Sequence, residues 1–175
     1  MHYAPTRSWL VALITFSAIY VALYAVYLQI PDEVLMQEVY SHLIVTPGAS
    51  LIKLVAPAEP VIGIGNELIS GSTTVEIVRG CDGAGVLFLL IAAIFAVAAP
   101  LKRLAWGVAG ALLLVYAVNQ LRIVVLYFAL LRHRDWFTPL HTMVFPGLFI
   151  VLGLISFLLW IPTRVDKSNE PPPAL

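Results

Sequence analysis

Cys81, Arg122 and His141 are the residues of this 175-residue chain whose types combine into a chemistry. A thiol can act as a nucleophile, an imidazole can move a proton, and a guanidinium can hold the oxyanion of a tetrahedral intermediate. Together they are the parts of an acyl-transfer site. Each also has a plainer reading. A lone cysteine in an apolar chain is commonly an inert small side chain, an arginine in an apolar helix can snorkel to the headgroups, and an interfacial histidine can be a simple anchor. Cys81 departs from the plain reading because it lies in Val78-Arg79-Gly80-Cys81-Asp82-Gly83-Ala84-Gly85. The glycines permit an unusual backbone and close approach by a substrate. The thiol also sits near a helix N-terminus and close to an arginine, the surroundings of reactive cysteines. The run is no dinucleotide loop, since it opens an apolar helix outside any βαβ unit.

Arg122 is the most expensive residue of the chain. A charge near the bilayer centre costs about 2.5–3.5 kcal/mol on insertion scales, and such residues are functional candidates by default. The expected spans contain no acid to pair with it. Asn119, one turn earlier on the same helix face, can hydrogen-bond a neighbouring helix or orient the guanidinium. His141 follows Thr138-Pro139-Leu140 at the mouth of the last apolar stretch. A metal site is not expected, because His133 and His141 are separated by a proline-containing turn and no carboxylate-rich cluster joins them. No cofactor is expected either.

The elements that must position these residues are membrane helices. Hydrophobic residues make up 61% and charged residues 11% of the chain, against roughly 45–50% and about 25% in soluble domains. Ten basic and ten acidic residues cancel, so no long-range field attracts an anionic polymer, and a nucleic-acid partner is excluded. A single cysteine excludes an intrachain disulfide framework and a CxxC redox pair. A spanning helix needs about 20 mostly apolar residues. Four stretches qualify: 9–28, 83–99 closed by Pro100, 104–131 interrupted by Arg122, and 142–161 with Pro146 and Gly147 near its start. The first is too long for a signal-peptide core and is followed by no small-residue cleavage site, so it reads as a retained anchor.

Lysine and arginine near the helix ends set orientation. With Arg7, Lys102, Arg103, Arg164 and Lys167 inside and Lys53, Arg79, Arg132 and Arg134 outside, both termini are expected in the cytoplasm. The tail 166–175, with three consecutive prolines, is expected to be disordered and the rest, 1–165, to form a single membrane domain. Segment 29–82 then lies outside. Pro31-Asp32-Glu33 suits a first helical turn, and Thr46-Pro47 restarts a second short helix. Both are expected along the membrane surface. From Val61 the texture turns to β, with turn signals at Gly65-Asn66 and Ser70-Gly71-Ser72. The expected fold is therefore all-α membrane protein with about four transmembrane helices and an extracytoplasmic insertion of amphipathic helices and a small β-meander. Its topology brings Cys81, Arg122 and His141 toward the outer half of the bilayer.

The chain resembles the exosortase/archaeosortase family of prokaryotic membrane cysteine transpeptidase-proteases. The resemblance is carried by Gly80-Cys81-Asp82-Gly83 opening a span, Asn119-Gln120-Leu121-Arg122 within the next, and His141 with Gly147 starting the last. Leu51-Ile52-Lys53-Leu54, Val61-Ile62-Gly63-Ile64 and Val75-Glu76-Ile77 resemble the family's approach to its cysteine, so that about two-thirds of the chain takes part. Two departures stand out: one span precedes the cysteine where family members often have more, and Asp82 follows it where Ser or Asn is frequent. Both point to a compact subgroup such as exosortase H, with a recognition signal other than the usual Pro-Glu-Pro motif. The resemblance implies a cell (inner) membrane enzyme acting on secreted proteins that end in a short motif, a transmembrane helix and a basic tail. It assigns Cys81 as nucleophile, His141 as general acid/base and Arg122 as the stabiliser of the thiolate or oxyanion, with Asn119 and Asp82 in support. The alternative from another class is a non-catalytic carrier or binding protein that uses Arg122 for an anionic ligand; an assembly factor in which the trio is incidental is a third.

Overall fold

A computed structural model of the chain describes residues 8–71 and 73–161. The tail 166–175 and the orienting residues Arg7, Arg164 and Lys167 lie outside the described residues. The fold is mostly α-helical. Helix α1 (Trp9–Gln29) is followed by a helical run made of α2 (Asp32–Val34), a π-helical stretch π1 (Leu35–Val45) and α3 (Thr46–Val55). Strands β1 (Ile62–Ile64), β2 (Glu67–Ser70) and β3 (Thr73–Glu76) form an antiparallel sheet in the order β1-β2-β3. Its register pairs Ile62 with Ile69 and Leu68 with Val75. Helices α4 (Ala84–Ala96), α5 (Leu101–Arg132) and α6 (Arg134–Pro139), a second π-helical stretch π2 (Leu140–Val144) and α7 (Phe145–Trp160) complete the chain.

Three helices, Trp9–Gln29, Leu101–Arg132 and Arg134–Trp160, are long and apolar enough to cross a membrane. Helix α4 is apolar but has only 13 residues, about 20 Å at the helical rise. It is shorter than the expected stretch 83–99 because Val97 turns extended and Pro100 biases the residue before it away from helix. Large apolar side chains stay outside, among them Leu113, Ile150 and Leu159. Bilayer hydrocarbon solvates such side chains at no cost, and the chain has the makeup of a multi-pass membrane protein.

Proline accounts for the widened turn at the end of each π-helical stretch. Pro47 has no N–H to give the carbonyl of Leu43, and Pro146 none for Thr142. In each case the turn before the proline is widened instead of broken: the Phe145 N–H reaches back to the Leu140 carbonyl, and the Thr46 N–H to that of Ser41. Helix α3 thus begins at Thr46-Pro47 as the sequence suggests, but it continues the helical run of π1 without a break, since Val45 is itself helical. The carbonyl of Leu43 instead receives the Gln120 side-chain amide at 3.1 Å, so α5 supplies the donor that Pro47 lacks.

Two apolar clusters flank α5. One joins Tyr27, Leu35, Tyr40, Ile44, Ile52 and Leu68 to Ile123 and Tyr127. The other joins Leu90, Ile94 and Phe149 to Ala111, Val115 and Val118. The inner faces of π1 and α3 are thus buried against α5 and the sheet. Asn119, Gln120 and Arg122 fall between the clusters, and all three are buried. This polar layer is where the three chemically promising residues meet.

Candidate functional site

Cys81 is carried by a glycine-hinged turn between β3 and α4. Gly80 and Gly83 have φ of 91° and 80°, left-handed values that cost other residues about 1–2 kcal/mol. At Gly80 a Cβ would meet nothing, but at Gly83 it would come within 3.0 Å of Val115 Cγ1 and 3.8 Å of Asn119. Gly83 is therefore needed for conformation and for close packing on α5 alike. The turn closes through the Cys81 N–H donating to the Val78 carbonyl at 2.9 Å.

Polar anchors lie on both sides of the cysteine. Two residues before it, Arg79 donates to the carbonyls of Tyr27 and Ile30, each at 2.7 Å, and to Asp32 Oδ1. It caps the end of α1 and forms an ion pair with the start of α2. One residue after the cysteine, Asp82 Oδ2 accepts hydrogen bonds from the hydroxyls of Tyr27 at 2.6 Å and Tyr40 at 2.8 Å. Asp82 Oδ1 accepts from the Ala84 N–H at 3.1 Å, which satisfies one free donor of the first α4 turn. Burial and the neighbouring Asp82 push the Tyr40 hydroxyl well above the usual tyrosine range, so it remains a proton donor. Tyr27 and Tyr40 are site residues that sequence reasoning missed. Both sit in apolar runs and read as core; only an acid immediately after the cysteine hints that hydroxyls are needed.

The other two residues face the cysteine from α5 and π2. Cys81 Sγ lies 3.8 Å from His141 Nε2. Arg122 Nη1 points to the Cys81 carbonyl at 3.4 Å, and Nη2 lies 3.4 Å from His141 Nδ1 and 3.5 Å from Nε2. These arginine contacts are at the long end of hydrogen bonding. Arg122 is buried, while Cys81 and His141 are partly open. His141 rides in π2, the stretch widened ahead of Pro146, and its ring stacks on Phe137 with centroids 5.5 Å apart.

Hydrogen-bond directions limit what this trio can do. A guanidinium only donates. For Nε2 to take the thiol proton its lone pair must face Sγ, which puts the N–H of a neutral ring on Nδ1. Arg122 then has no ring lone pair of its own, and its N–H groups stay available to an oxygen placed near Cys81. The sequence leaves Asn119 two roles, bonding a neighbouring helix or orienting the guanidinium. Asn119 backs Gly83, no hydrogen bond joins it to Arg122, and its Oδ1 is buried without a partner. Among the described residues no group of three His, Cys, Asp or Glu gathers to hold a metal ion.

No protein-family model, curated protein or solved structure matches this chain.

Proposed function

We propose that the chain is a membrane-embedded cysteine peptidase or transpeptidase of exosortase type. The observation that carries this reading is the approach of Cys81 Sγ to His141 Nε2 at 3.8 Å, with the Arg122 guanidinium 3.4 Å from both the Cys81 carbonyl and the His141 ring. In the proposed reaction His141 takes the thiol proton as Sγ attacks a peptide carbonyl. Arg122 donates to the oxygen as negative charge develops there. The C–N bond then breaks, His141 passes the proton to the departing amine, and a thioester remains on Cys81. Water completes proteolysis; an amine or hydroxyl acceptor completes transfer. Substrates are secreted proteins whose C-terminal motif precedes a transmembrane helix and a basic tail, a class that follows from the sequence resemblance. A carrier reading, with Arg122 free for an anionic ligand, fits less well because the guanidinium is buried against Cys81 and His141.

The same proposal sets the topology. Four spans, with α4 completing its crossing through residues 97–99 beyond the helix end, put both termini in the cytoplasm of a prokaryotic cell and Cys81 on the outer side. Reporter fusions after Lys102 and after Lys167 should both read as cytoplasmic; an outside signal at either excludes this arrangement. The chemistry is tested by Cys81→Ala and Cys81→Ser. Both are expected to insert and accumulate normally and to abolish cleavage of a co-expressed substrate, since a hydroxyl is a far weaker nucleophile at this position. Cleavage by the alanine variant would remove Cys81 from the mechanism.

A further inference from the structure

Away from the cysteine, a polar cavity of about 320 Å³ opens where α5 ends and α6 begins. It is lined by Thr73 of β3, by Leu130, Leu131 and Arg132 of α5, and by Arg134 of α6. The Arg132 guanidinium lies over the Phe128 ring, with Cζ 5.3 Å from the centroid. That contact steadies the side chain through its face and leaves its edge N–H groups unused. Neither arginine has an ion-pair partner within 4.0 Å among the described residues. Glu59 attracts Arg132 through space, but its Oε1 is already held by the hydroxyls of Ser70 and Tyr127. Two exposed guanidiniums and a threonine around one polar cavity form a donor set for a phosphate-type oxyanion.

The place of the cavity identifies the source of that oxyanion. It lies at the shared end of Leu101–Arg132 and Arg134–Trp160, both long and apolar enough to cross a membrane. Trp136, two residues past Arg134, is 63% exposed. Arginine and tryptophan at the ends of apolar helices sit at headgroup level. A soluble anion would have to compete there with a dense layer of lipid phosphate. We propose that this cavity binds the phosphodiester headgroup of an anionic glycerophospholipid. Such a lipid pins the junction of the two helices at a fixed depth, and His141 lies two turns further along the same helical run. The proposal is independent of Cys81 chemistry and survives if the protein is not a peptidase.

The test uses the full chain in phosphatidylcholine nanodiscs doped with spin-labelled phosphatidylglycerol or spin-labelled phosphatidylcholine, at constant salt because surface charge is screened. The wild type should immobilise the phosphatidylglycerol probe about five- to thirtyfold more strongly than the phosphatidylcholine probe, the scale expected for one to two arginines at a membrane surface. Arg132→Gln with Arg134→Gln should reduce the two probes to parity, and each single substitution should act partway. Circular dichroism and elution volume confirm that the variants keep the fold. Equal immobilisation of both probes by the wild type overturns the proposal, as does an undiminished preference in the folded double variant. Release of the lipid probe by millimolar inorganic phosphate would instead define a free-anion site, and release by soluble hexaglutamate an acidic-polypeptide site; either overturns the lipid assignment.

Discussion

The Tyr40 hydroxyl donates to Asp82 Oδ2 over 2.8 Å, tying the π-helical stretch to the residue after Cys81. Tyr27 donates to the same oxygen at 2.6 Å, and the two hydroxyls lie 3.0 Å apart. This carboxylate thus gathers α1, π1 and the first turn of α4 at the nucleophile. Hydrogen bonds to charged groups contribute about 1.5–3 kcal/mol each, and a charge left buried without donors costs more. Tyr27→Phe or Tyr40→Phe alone leaves one donor in place and should lower the unfolding midpoint modestly. The double variant should lose more than the sum, because the groups share one acceptor. Thermal unfolding in detergent together with substrate cleavage reads the effect. Additive losses would mean that the two hydroxyls act independently, and no loss in the double variant would mean that the tyrosines contribute by packing alone.

Gln120 provides a second structural prediction. Its Nε2 reaches the carbonyls of Leu43 at 3.1 Å and Ile44 at 3.4 Å, where Pro47 leaves the Leu43 carbonyl without an intrahelical donor. Gln120→Leu keeps the bulk but removes the donor to that part-buried carbonyl, at about 1 kcal/mol. Replacing Pro47 by Ala in the same background restores a backbone N–H able to serve it. The expected outcome is that Pro47→Ala recovers part of the stability lost in Gln120→Leu. No recovery would show that the glutamine acts elsewhere.

Gln120 and the tyrosines also show how far this fold and site could be read from the sequence. Arg122, Cys81 and His141 stand out individually, because a charge inside an apolar helix, a cysteine among glycines and a histidine at a helix mouth each break a pattern. Tyr27 and Tyr40 break none; a hydroxyl's direction leaves no trace in hydrophobic periodicity. Pro47 reads as a helix start, since proline suits that position, and the donor that lets the run continue lies far away on α5. Asn119 shares a helix face with Arg122, yet its neighbour is Gly83, a contact set by how α4 packs on α5. Spacing within one element was legible. Contacts between elements were legible only where an anomalous residue announced them.

Glu59 gives the insertion a pH dependence. Hydrogen bonds from Ser70 and Tyr127, with the charge of Arg132 assisting, hold its carboxyl below the usual carboxylate range. A depressed folded-state value contributes stability that is present above the unfolded-state pKa and is lost as pH falls through the folded value. Glu59→Gln cannot ionise and removes this dependence. Wild type should therefore be the more stable protein at neutral pH, with the difference in unfolding midpoint narrowing once pH falls below about 4.5. Unfolding midpoints of both proteins from neutral to acid pH check the sign. A gap that widens in acid would contradict the assignment.

Arg122 separates a charge requirement from a geometric one. Helix α5 ends at Arg132, so Arg122 lies about 15 Å below that end at the helical rise. Its side chain is buried against the cysteine turn, not extended along the helix toward the headgroups. Nη1 faces the Cys81 carbonyl while Nη2 faces the His141 ring. A lysine has one nitrogen and cannot occupy both positions, although it carries the same charge. If two-point contact and an oxyanion donor are required, Arg122→Lys should insert and accumulate yet lose about 10²–10³ in cleavage rate, the usual effect of removing one oxyanion donor. Arg122→Ala should be slower still and less stable, since the polar layer would lose its only cation. Membrane abundance measured beside cleavage rate distinguishes the cases. Full activity in the lysine variant would reduce Arg122 to a simple charge, and a parallel loss of abundance and activity would make it a structural residue of the helix interface.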